Sequence, residues 1–204
     1  MRPDGETLEA IEIERHQQAA WQSQRQHVSR NSTFYQELWN GVVPPVNLRD
    51  LPELPLSDKA QLRISQAEHL PFGGYLAAPS SKVTRLHRTS GTTGQAMNLA
   101  MSTRDCDITE TVGGRCQGAA GLTTNHTVVH CLNYQMWMGG LTDHMTLERT
   151  GATVVPFGVG NTELLINTIR EVGINAISCT PSYPAVLERV LAEKFPKTSP
   201  SDLG

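Results

Sequence analysis

The 204-residue sequence has little that would indicate a metal site, a disulfide framework or a membrane segment. It has four cysteines with no C-x-x-C pair and no ligand-like spacing to histidine, so we expect no zinc site and predict small buried thiols in a reducing compartment. They are Cys106, Cys116, Cys131 and Cys179. No stretch approaches the ~20 apolar residues of a membrane span, and the first residues lack the apolar run of a secretory signal. We therefore expect a cytoplasmic protein.

An excess of either charge is also missing. Lys and Arg total 17 against 20 Asp and Glu, which gives a net charge of −3. A surface that neutralises nucleic-acid phosphates needs a basic balance, so we expect no nucleic-acid partner. One local basic cluster precedes a turn rich in glycine and hydroxyl groups, and it indicates either an anion-binding patch or a solvated strand edge. Its members are Lys82, Arg85, His87 and Arg88.

Three catalytic motifs are absent. The turn at residues 89–94 lacks the Gly-Lys-Ser/Thr ending of a P-loop, and no later apolar strand ends in an acidic residue, which excludes a P-loop NTPase. There is no G-x-S-x-G elbow, which disfavours an esterase. His126 and His130 are four residues apart, but they lie in a predicted strand and lack the glutamate of a zinc protease.

The apolar pattern predicts an α/β fold with a helical N-terminal extension. The pattern of residues 6–30 predicts a helix, and Asn31 or Ser32 is the predicted cap of the segment that follows it. Prolines recur through residues 41–79, with one short helix predicted after Ser57. Later strands alternate with helices of 10 to 15 residues, which is typical of parallel β-α-β units. Strands are predicted at 127–132, 152–157 and 175–179, and helices at 103–118, 140–149, 162–171 and 182–194. We expect a helical arm with a Pro-rich connector at 1–80 and an α/β subdomain at 81–204.

The glycine- and hydroxyl-rich turn joins two predicted strands of a hairpin, at residues 82–88 and 96–101. Gly91 and Gly94 can adopt positive φ and bring the backbone close to a ligand, and neighbouring Ser and Thr residues add hydroxyl donors. Such a loop can wrap a polyphosphate, although ordinary hairpin turns have a similar composition.

The loops that follow the later strands predict a ligand pocket. Residues 131–140, 155–161 and 178–184 are rich in Gly, Pro, Asn, Thr and aromatic residues, and ligands of parallel sheets bind off the carboxyl ends of the strands. His144, with Asp143 beside it, lies near this rim. The pair either orients a substrate or lies on a helix surface.

The segment "RTSGTTGQAMNLAMSTRD" at residues 88–105 resembles the phosphate loop of the acyl-adenylate-forming enzymes, where the pattern is [ST]-S-G-T-T-G-K-P before a strand and a Thr-x-x-Asp helix start. Four more segments match the phenylacetate–coenzyme A ligase branch of that superfamily in order and spacing, from about residue 25 onward. They are "VSRNSTFYQELW", "LPELPLSDKAQLR", "GGLTDHMTLERTGATVVPFGVGNTELLINTI" and "TPSYPAVL".

This resemblance implies an AMP-forming carboxylic acid–coenzyme A ligase. ATP, with Mg²⁺, would activate an aryl or arylacetic acid to an acyl-adenylate, and the coenzyme A thiol would then displace AMP. The resemblance places the nucleotide phosphates on Thr89, Ser90, Gly91, Thr92, Thr93 and Gly94. It places the acid pocket on Tyr134, Trp137, Gly139, Gly140, Thr180, Pro181, Ser182 and Tyr183. Trp137 or Tyr183 would stack on an aromatic ring and the two glycines would leave it room. No catalytic residue is assigned.

The sequence departs from the family pattern in two respects. Gln95-Ala96 replaces the usual Lys-Pro, which removes a charge-assisted contact of about 1.5–3 kcal/mol from the phosphates, although Arg85 or Arg88 could partly substitute. The adenine, ribose and catalytic-lysine motifs of the family are also absent. We therefore expect an incomplete, N-terminal part of an adenylate-forming domain that is inactive alone and that forms a homodimer or associates with a separate C-terminal half. The alternative is a non-catalytic nucleotide-binding or oligomerisation module, and the acceptor, coenzyme A or a carrier-protein thiol, stays open.

Overall fold

The computed structural model describes residues 7–89, 91 and 96–199. They form two compact units that divide between Thr103 and Arg104. Within the described ranges, no helix combines the length and the apolar character needed to cross a bilayer.

The first unit begins with three helices whose starts are set by capping side chains. They are α1 (Ala10–Asn31), α2 (Thr33–Leu38) and α3 (Lys59–Glu68). Ser32 caps α2, because its hydroxyl accepts from the Tyr35 amide at 3.3 Å, and the same hydroxyl donates to the Gly74 carbonyl at 3.0 Å. Asp58 and Gln61 form a reciprocal capping box at α3. Of the two predicted caps, Ser32 is confirmed.

The Pro-rich connector lies along α1 and is held by side-chain donors. The indole of Trp21 donates to the Pro45 carbonyl at 2.9 Å, and the guanidinium of Arg25 donates to the Pro44 carbonyl at 3.0 Å. Gln18 donates to Val46 at 2.8 Å. Positions 18, 21 and 25 lie on one face of a helix, so the three donors reach consecutive carbonyls.

The predicted hairpin is confirmed. Strands β1 (Val83–Arg88) and β2 (Asn98–Ser102) pair antiparallel, with Arg88 opposite Asn98. The glycine- and hydroxyl-rich segment connects these two strands in the sequence.

The second unit is a three-layer α/β arrangement of alternating helices and strands. In chain order they are α4 (Thr103–Ala119), β3 (Thr127–His130), α5 (Met138–Glu148), β4 (Thr153–Val155), α6 (Thr162–Val172), β5 (Ala176–Ser178) and α7 (Tyr183–Lys194). The three strands are parallel in the order β4-β3-β5, as their spacing predicts. The α/β fold with a helical N-terminal extension is confirmed.

Strand β3 is the centre of the core because both of its faces are covered. Val129 is fully buried in a cluster with Leu165 and Ile169, whereas Val128 packs on the other face with Leu147 and Ala152. A strand buried on both faces reads as a continuous apolar run, and this is why it was recognisable in the sequence.

Two expectations need comment. The thiols are not uniformly buried: Cys106 and Cys131 are buried, Cys179 is partly buried, and Cys116 is exposed because it lies on an outward position of α4. The functional division into residues 1–80 and 81–204 stays a prediction. The compact units divide after Thr103, because the hairpin belongs to the first of them.

Candidate functional site

The base of the predicted phosphate loop is closed by two reciprocal hydrogen bonds. The Thr89 amide donates to the Met97 carbonyl at 3.0 Å, and the Met97 amide donates to the Thr89 hydroxyl at 3.0 Å. Gly91 has φ +68°, the left-handed conformation that its glycine allows. The other predicted phosphate-binding residues lie outside the described residues: Ser90, Thr92, Thr93 and Gly94. Phosphate binding by this loop stays a prediction.

The basic cluster beside this loop is smaller than the sequence indicates. His87 is only 3% exposed, because its position in β1 faces inward. Lys82 and Arg88 are exposed. An anion that approaches the hairpin would therefore meet lysine and arginine rather than the imidazole.

A buried glutamine on α3 supports the return limb of the loop. The Gln66 side chain is 6% exposed; its Oε1 accepts from the Asn98 amide at 2.6 Å and its Nε2 donates to the Ala96 carbonyl at 3.1 Å. The Tyr75 hydroxyl lies 3.1 Å from the same Oε1. Sequence reasoning missed Gln66, since its only signal is an inward position on a short helix.

In the second unit, Tyr134 lies where the loops after β3 and β4 meet. Its ring stands edge-on to His130, with centroids 5.5 Å apart, and its hydroxyl lies 2.9 Å from Nδ1 of His144. A Cβ on Gly158, in the loop after β4, would lie 3.7 Å from the ring. The predicted pocket residue Tyr134 is therefore half-buried among protein side chains and backbone.

His130 ties three elements together from a fully buried position. Its Nε2 lies 3.1 Å from the Gly139 carbonyl and 3.0 Å from the Gly140 carbonyl, and carbonyls only accept, so Nε2 carries a hydrogen. In the neutral ring Nδ1 then accepts from the Ser178 hydroxyl at 3.0 Å. Burial lowers the pKa of His130, although the two carbonyls oppose this effect.

His144 connects Tyr134 to a glutamate one turn along α5. Its Nε2 lies 3.2 Å from the Glu148 carboxylate, so Nε2 donates and Nδ1 accepts from Tyr134 when the ring is neutral. Burial raises the pKa of Tyr134 to about 12, which keeps its hydroxyl protonated as this arrangement requires. The neighbours of His144 in this chain of contacts are thus Tyr134 and Glu148 rather than the adjacent Asp143, whose own pKa burial raises.

The two glycines at the start of α5 are needed by the protein's own groups. A Cβ on Gly140 would collide with the Asn133 carbonyl oxygen and lie 2.6 Å from Cα of Tyr134, and a Cβ on Gly139 would lie 2.9 Å from the Trp137 ring. The absence of side chains lets α5 begin directly under the loop that carries Tyr134. Whether the glycines also leave room for a substrate ring stays a prediction.

The second predicted pocket segment follows β5. The Tyr183 amide closes a turn onto the Thr180 carbonyl at 2.9 Å, and the Tyr183 hydroxyl lies 3.2 Å from the Thr162 hydroxyl. Tyr183 packs against the buried cluster around Val129, whereas Trp137 is 42% exposed. Thr180, Pro181 and Ser182 are exposed. Because β3 and β5 are neighbours, both pocket segments leave the same edge of the sheet.

The thiols at this edge are poor nucleophiles. Cys131 follows β3 and Cys179 follows β5. Burial, together with the neighbouring Cys179, raises the pKa of Cys131 to about 12, and burial also raises the pKa of Cys179. Both remain protonated near neutral pH, and the arrangement offers no thiolate for covalent catalysis.

Comparisons with known proteins extend over almost the whole chain. No protein-family model matches it. The phenylacetate–coenzyme A ligase of Thermus thermophilus is 34% identical over 208 residues, which cover 99% of this chain and 45% of that protein. The phenylacetate–coenzyme A ligase of Aromatoleum evansii is 34% identical over 180 residues, which cover 86% of this chain and 39% of that protein. A crystal structure of 2-hydroxyisobutyryl-CoA ligase with 2-HIB-AMP and CoA superposes with a TM-score of 0.91 at 28% identity, over 99% of this chain and 44% of that one.

The fold and the comparisons place the chain among the acyl–coenzyme A ligases. Within that class it belongs to the phenylacetate–coenzyme A ligase branch of the acyl-adenylate-forming superfamily, as the ordered motifs predict. The chain spans less than half the length of the relatives it matches.

Substitution of Gly140 should test the close approach beneath Tyr134. Gly140→Ala places a Cβ against backbone that cannot move without displacing Tyr134, so we expect a loss of at least about 1 kcal/mol in the free energy of unfolding, measured by urea denaturation. Gly118→Ala is the matched control, because a Cβ there meets nothing within 4 Å and alanine favours the helix. Equal stability of the two variants would contradict the crowding.

The pH dependence of stability should report on His130. Because burial lowers its pKa below the ordinary value of 6.5, the unfolded chain takes up a proton in a range where the folded chain does not. The free energy of unfolding should therefore fall as pH decreases from 6.5 toward the lowered value, by up to about 1.4 kcal/mol per pH unit for this group. His130→Asn should lose that part of the slope in urea titrations at several pH values, and His16→Asn, at an exposed position of α1, should keep it.

Proposed function

We propose that the chain provides the phosphate loop and the acid-binding pocket of an AMP-forming carboxylic acid–coenzyme A ligase, with an aryl or arylacetic acid as substrate. The observation that carries the proposal is the 34% identity to a phenylacetate–coenzyme A ligase over 99% of the chain. The superposition on a ligase crystallised with an acyl-adenylate and CoA supports the same chemistry.

In this proposal the hairpin tip binds the β- and γ-phosphates of ATP. The described part of the loop fits the role, since Gly91 already has the positive φ that turns amides toward an anion and the exposed Arg88 adds charge beside it. Adenylation requires mainly that the carboxylate and the α-phosphate be held together and their charge neutralised. A protein nucleophile is unnecessary, which agrees with the protonated thiols.

The acid would lie at the sheet edge where the chain leaves the adjacent strands β3 and β5, in the loops that lead to Tyr134 and Tyr183. Trp137 is the better candidate for stacking on an aromatic acid, because its ring is exposed whereas Tyr183 packs into the core. The hydroxyl of Tyr134 is held by His144, so the tyrosine ring would form a fixed wall.

ATP, Mg²⁺ and coenzyme A are the cofactors and co-substrates of the proposal. Among the residues that the structure describes, no group of three or more His, Cys, Asp or Glu side chains is arranged to hold a metal ion. We assign no step to a protein-bound metal. Coenzyme A, rather than a carrier-protein thiol, is the proposed acceptor because the relatives are named as coenzyme A ligases.

A non-catalytic nucleotide-binding or oligomerisation module is the second candidate. Gln95 in place of the family's lysine favours it, since the loop loses a positive charge.

Restoring the missing charge should test whether the loop binds the phosphates of ATP. Gln95→Lys should tighten ATP binding roughly 10-fold or more, since a charge-assisted contact contributes about 1.5–3 kcal/mol, as measured by isothermal titration. Gln26→Lys, at an exposed position of α1, controls for net charge.

In the same preparations, acid-dependent ATP–pyrophosphate exchange by the 204-residue chain should stay near background. Strong exchange by the unsubstituted chain would show that it is a complete adenylating unit. Absence of ATP binding by both the wild type and Gln95→Lys would remove the ligase proposal for this chain.

We also propose that the isolated chain forms a homodimer. The second unit exposes large apolar side chains, among them Ile108, Val112 and Leu164, and its three-stranded sheet has β4 and β5 at its edges. Size-exclusion chromatography with light scattering at micromolar concentration should therefore give the mass of a dimer or larger. A monomer at that concentration would contradict the proposal.

A further inference from the structure

We propose that Gln66 is a positioning residue for the phosphate loop: its carboxamide takes the place of a neighbouring strand and holds the return limb, residues 96–98, in the conformation that binds polyphosphate. This inference rests on the proposed function of the loop. It concerns the first unit alone.

The backbone of the return limb alternates between two partners. Both polar groups of Met97 pair with Thr89 across the hairpin. The neighbouring groups, the Ala96 carbonyl and the Asn98 amide, point the other way, as the alternation of an extended chain requires. Gln66 meets both of them, with its donor on the carbonyl and its acceptor on the amide. One carboxamide thus makes the two bonds that a peptide of an adjacent strand would make.

Tyr75 fixes the orientation of that carboxamide. Its hydroxyl lies 3.1 Å from Oε1 of Gln66 and 3.2 Å from the Asn98 carbonyl, so its hydrogen is shared between two acceptors. Burial raises the pKa of Tyr75, which keeps the hydroxyl a donor. A flipped carboxamide would place its NH₂ group against the Asn98 amide, donor to donor, and only the observed orientation satisfies every partner.

A position buried to this extent gives little freedom for substitution. Gln66 is 6% exposed, and the Asn98 amide and the Ala96 carbonyl would both lose a partner if it were replaced by an apolar side chain. The limb that follows the loop would then keep its contacts with Thr89 and Tyr75 but lose both hydrogen bonds to α3. A loop that must present several amides to one anion depends on both limbs, so its affinity should fall even where the chain stays folded.

The test uses the 204-residue chain with tripolyphosphate as the probe. Affinity is measured by isothermal titration at a temperature where circular dichroism shows every variant folded. Gln66→Met, which conserves volume and removes both hydrogen-bonding groups, should bind about 10-fold more weakly than the wild type. Gln26→Met, an exposed position of α1, should bind as the wild type does.

Gln66→Glu separates positioning from packing. Its carboxylate can accept from Asn98 but cannot donate to Ala96, whereas a protonated carboxyl presents the same donor and acceptor as glutamine. Relative to the wild type at each pH, its affinity should be low at pH 8 and should recover as the carboxyl is protonated. Gln26→Glu should show no such recovery. Gln66→Met, which has no group to protonate, should stay weak at every pH.

Failure of this inference and failure of the proposed function give different results. Wild-type affinity in Gln66→Met, or no acid recovery in Gln66→Glu, would overturn the positioning role while leaving phosphate binding intact. If the wild type itself does not bind tripolyphosphate, the proposed function of the loop is overturned. Hydrogen exchange of the Asn98 amide then tests whether Gln66 holds the return limb in place. Faster exchange in Gln66→Met would confirm that it does, and unchanged exchange would refute it.

Discussion

The buried imidazole of His130 is the interaction on which the pocket side of the molecule depends. It ends the central strand, accepts from the hydroxyl of Ser178 at the end of β5, and donates from its other nitrogen to the Gly139 and Gly140 carbonyls in the first turn of α5. A neutral ring satisfies all three contacts at once. His130 therefore joins β3, β5 and α5 beneath the loop that carries Tyr134, whose ring lies edge-on to the imidazole.

In the first unit, the side-chain amide of Gln66 likewise makes the two hydrogen bonds that an adjacent strand would make. Gln66 and His130 both join segments that are distant in the sequence, and both use each of their polar atoms. Groups of this kind specify a single arrangement, because any shift of the partner segment leaves a buried donor or acceptor without a partner. They set geometry at the two places where the family resemblance expects ligands.

The sequence was sufficient for the elements and for their order. Apolar runs separated by amphipathic helices predicted the parallel sheet, and the turn chemistry predicted the hairpin, because both signals are local. The contacts of His130 and Gln66 were beyond its reach, since their partners lie 48 and 32 residues away and the residue types carry no distinguishing mark. His87 shows the same limit: alternation alone did not reveal that its side of β1 is buried.

The connector along α1 has a consequence for how this region can change over evolution. Trp21 and Arg25 donate to main-chain oxygens of the proline segment, and an oxygen of that kind is present whatever residue supplies it. The path of the segment is thus encoded in the helix, and its own side chains are left free to diverge. Substitutions should therefore accumulate in the connector, whereas the face of α1 that donates hydrogen bonds to it should stay under selection.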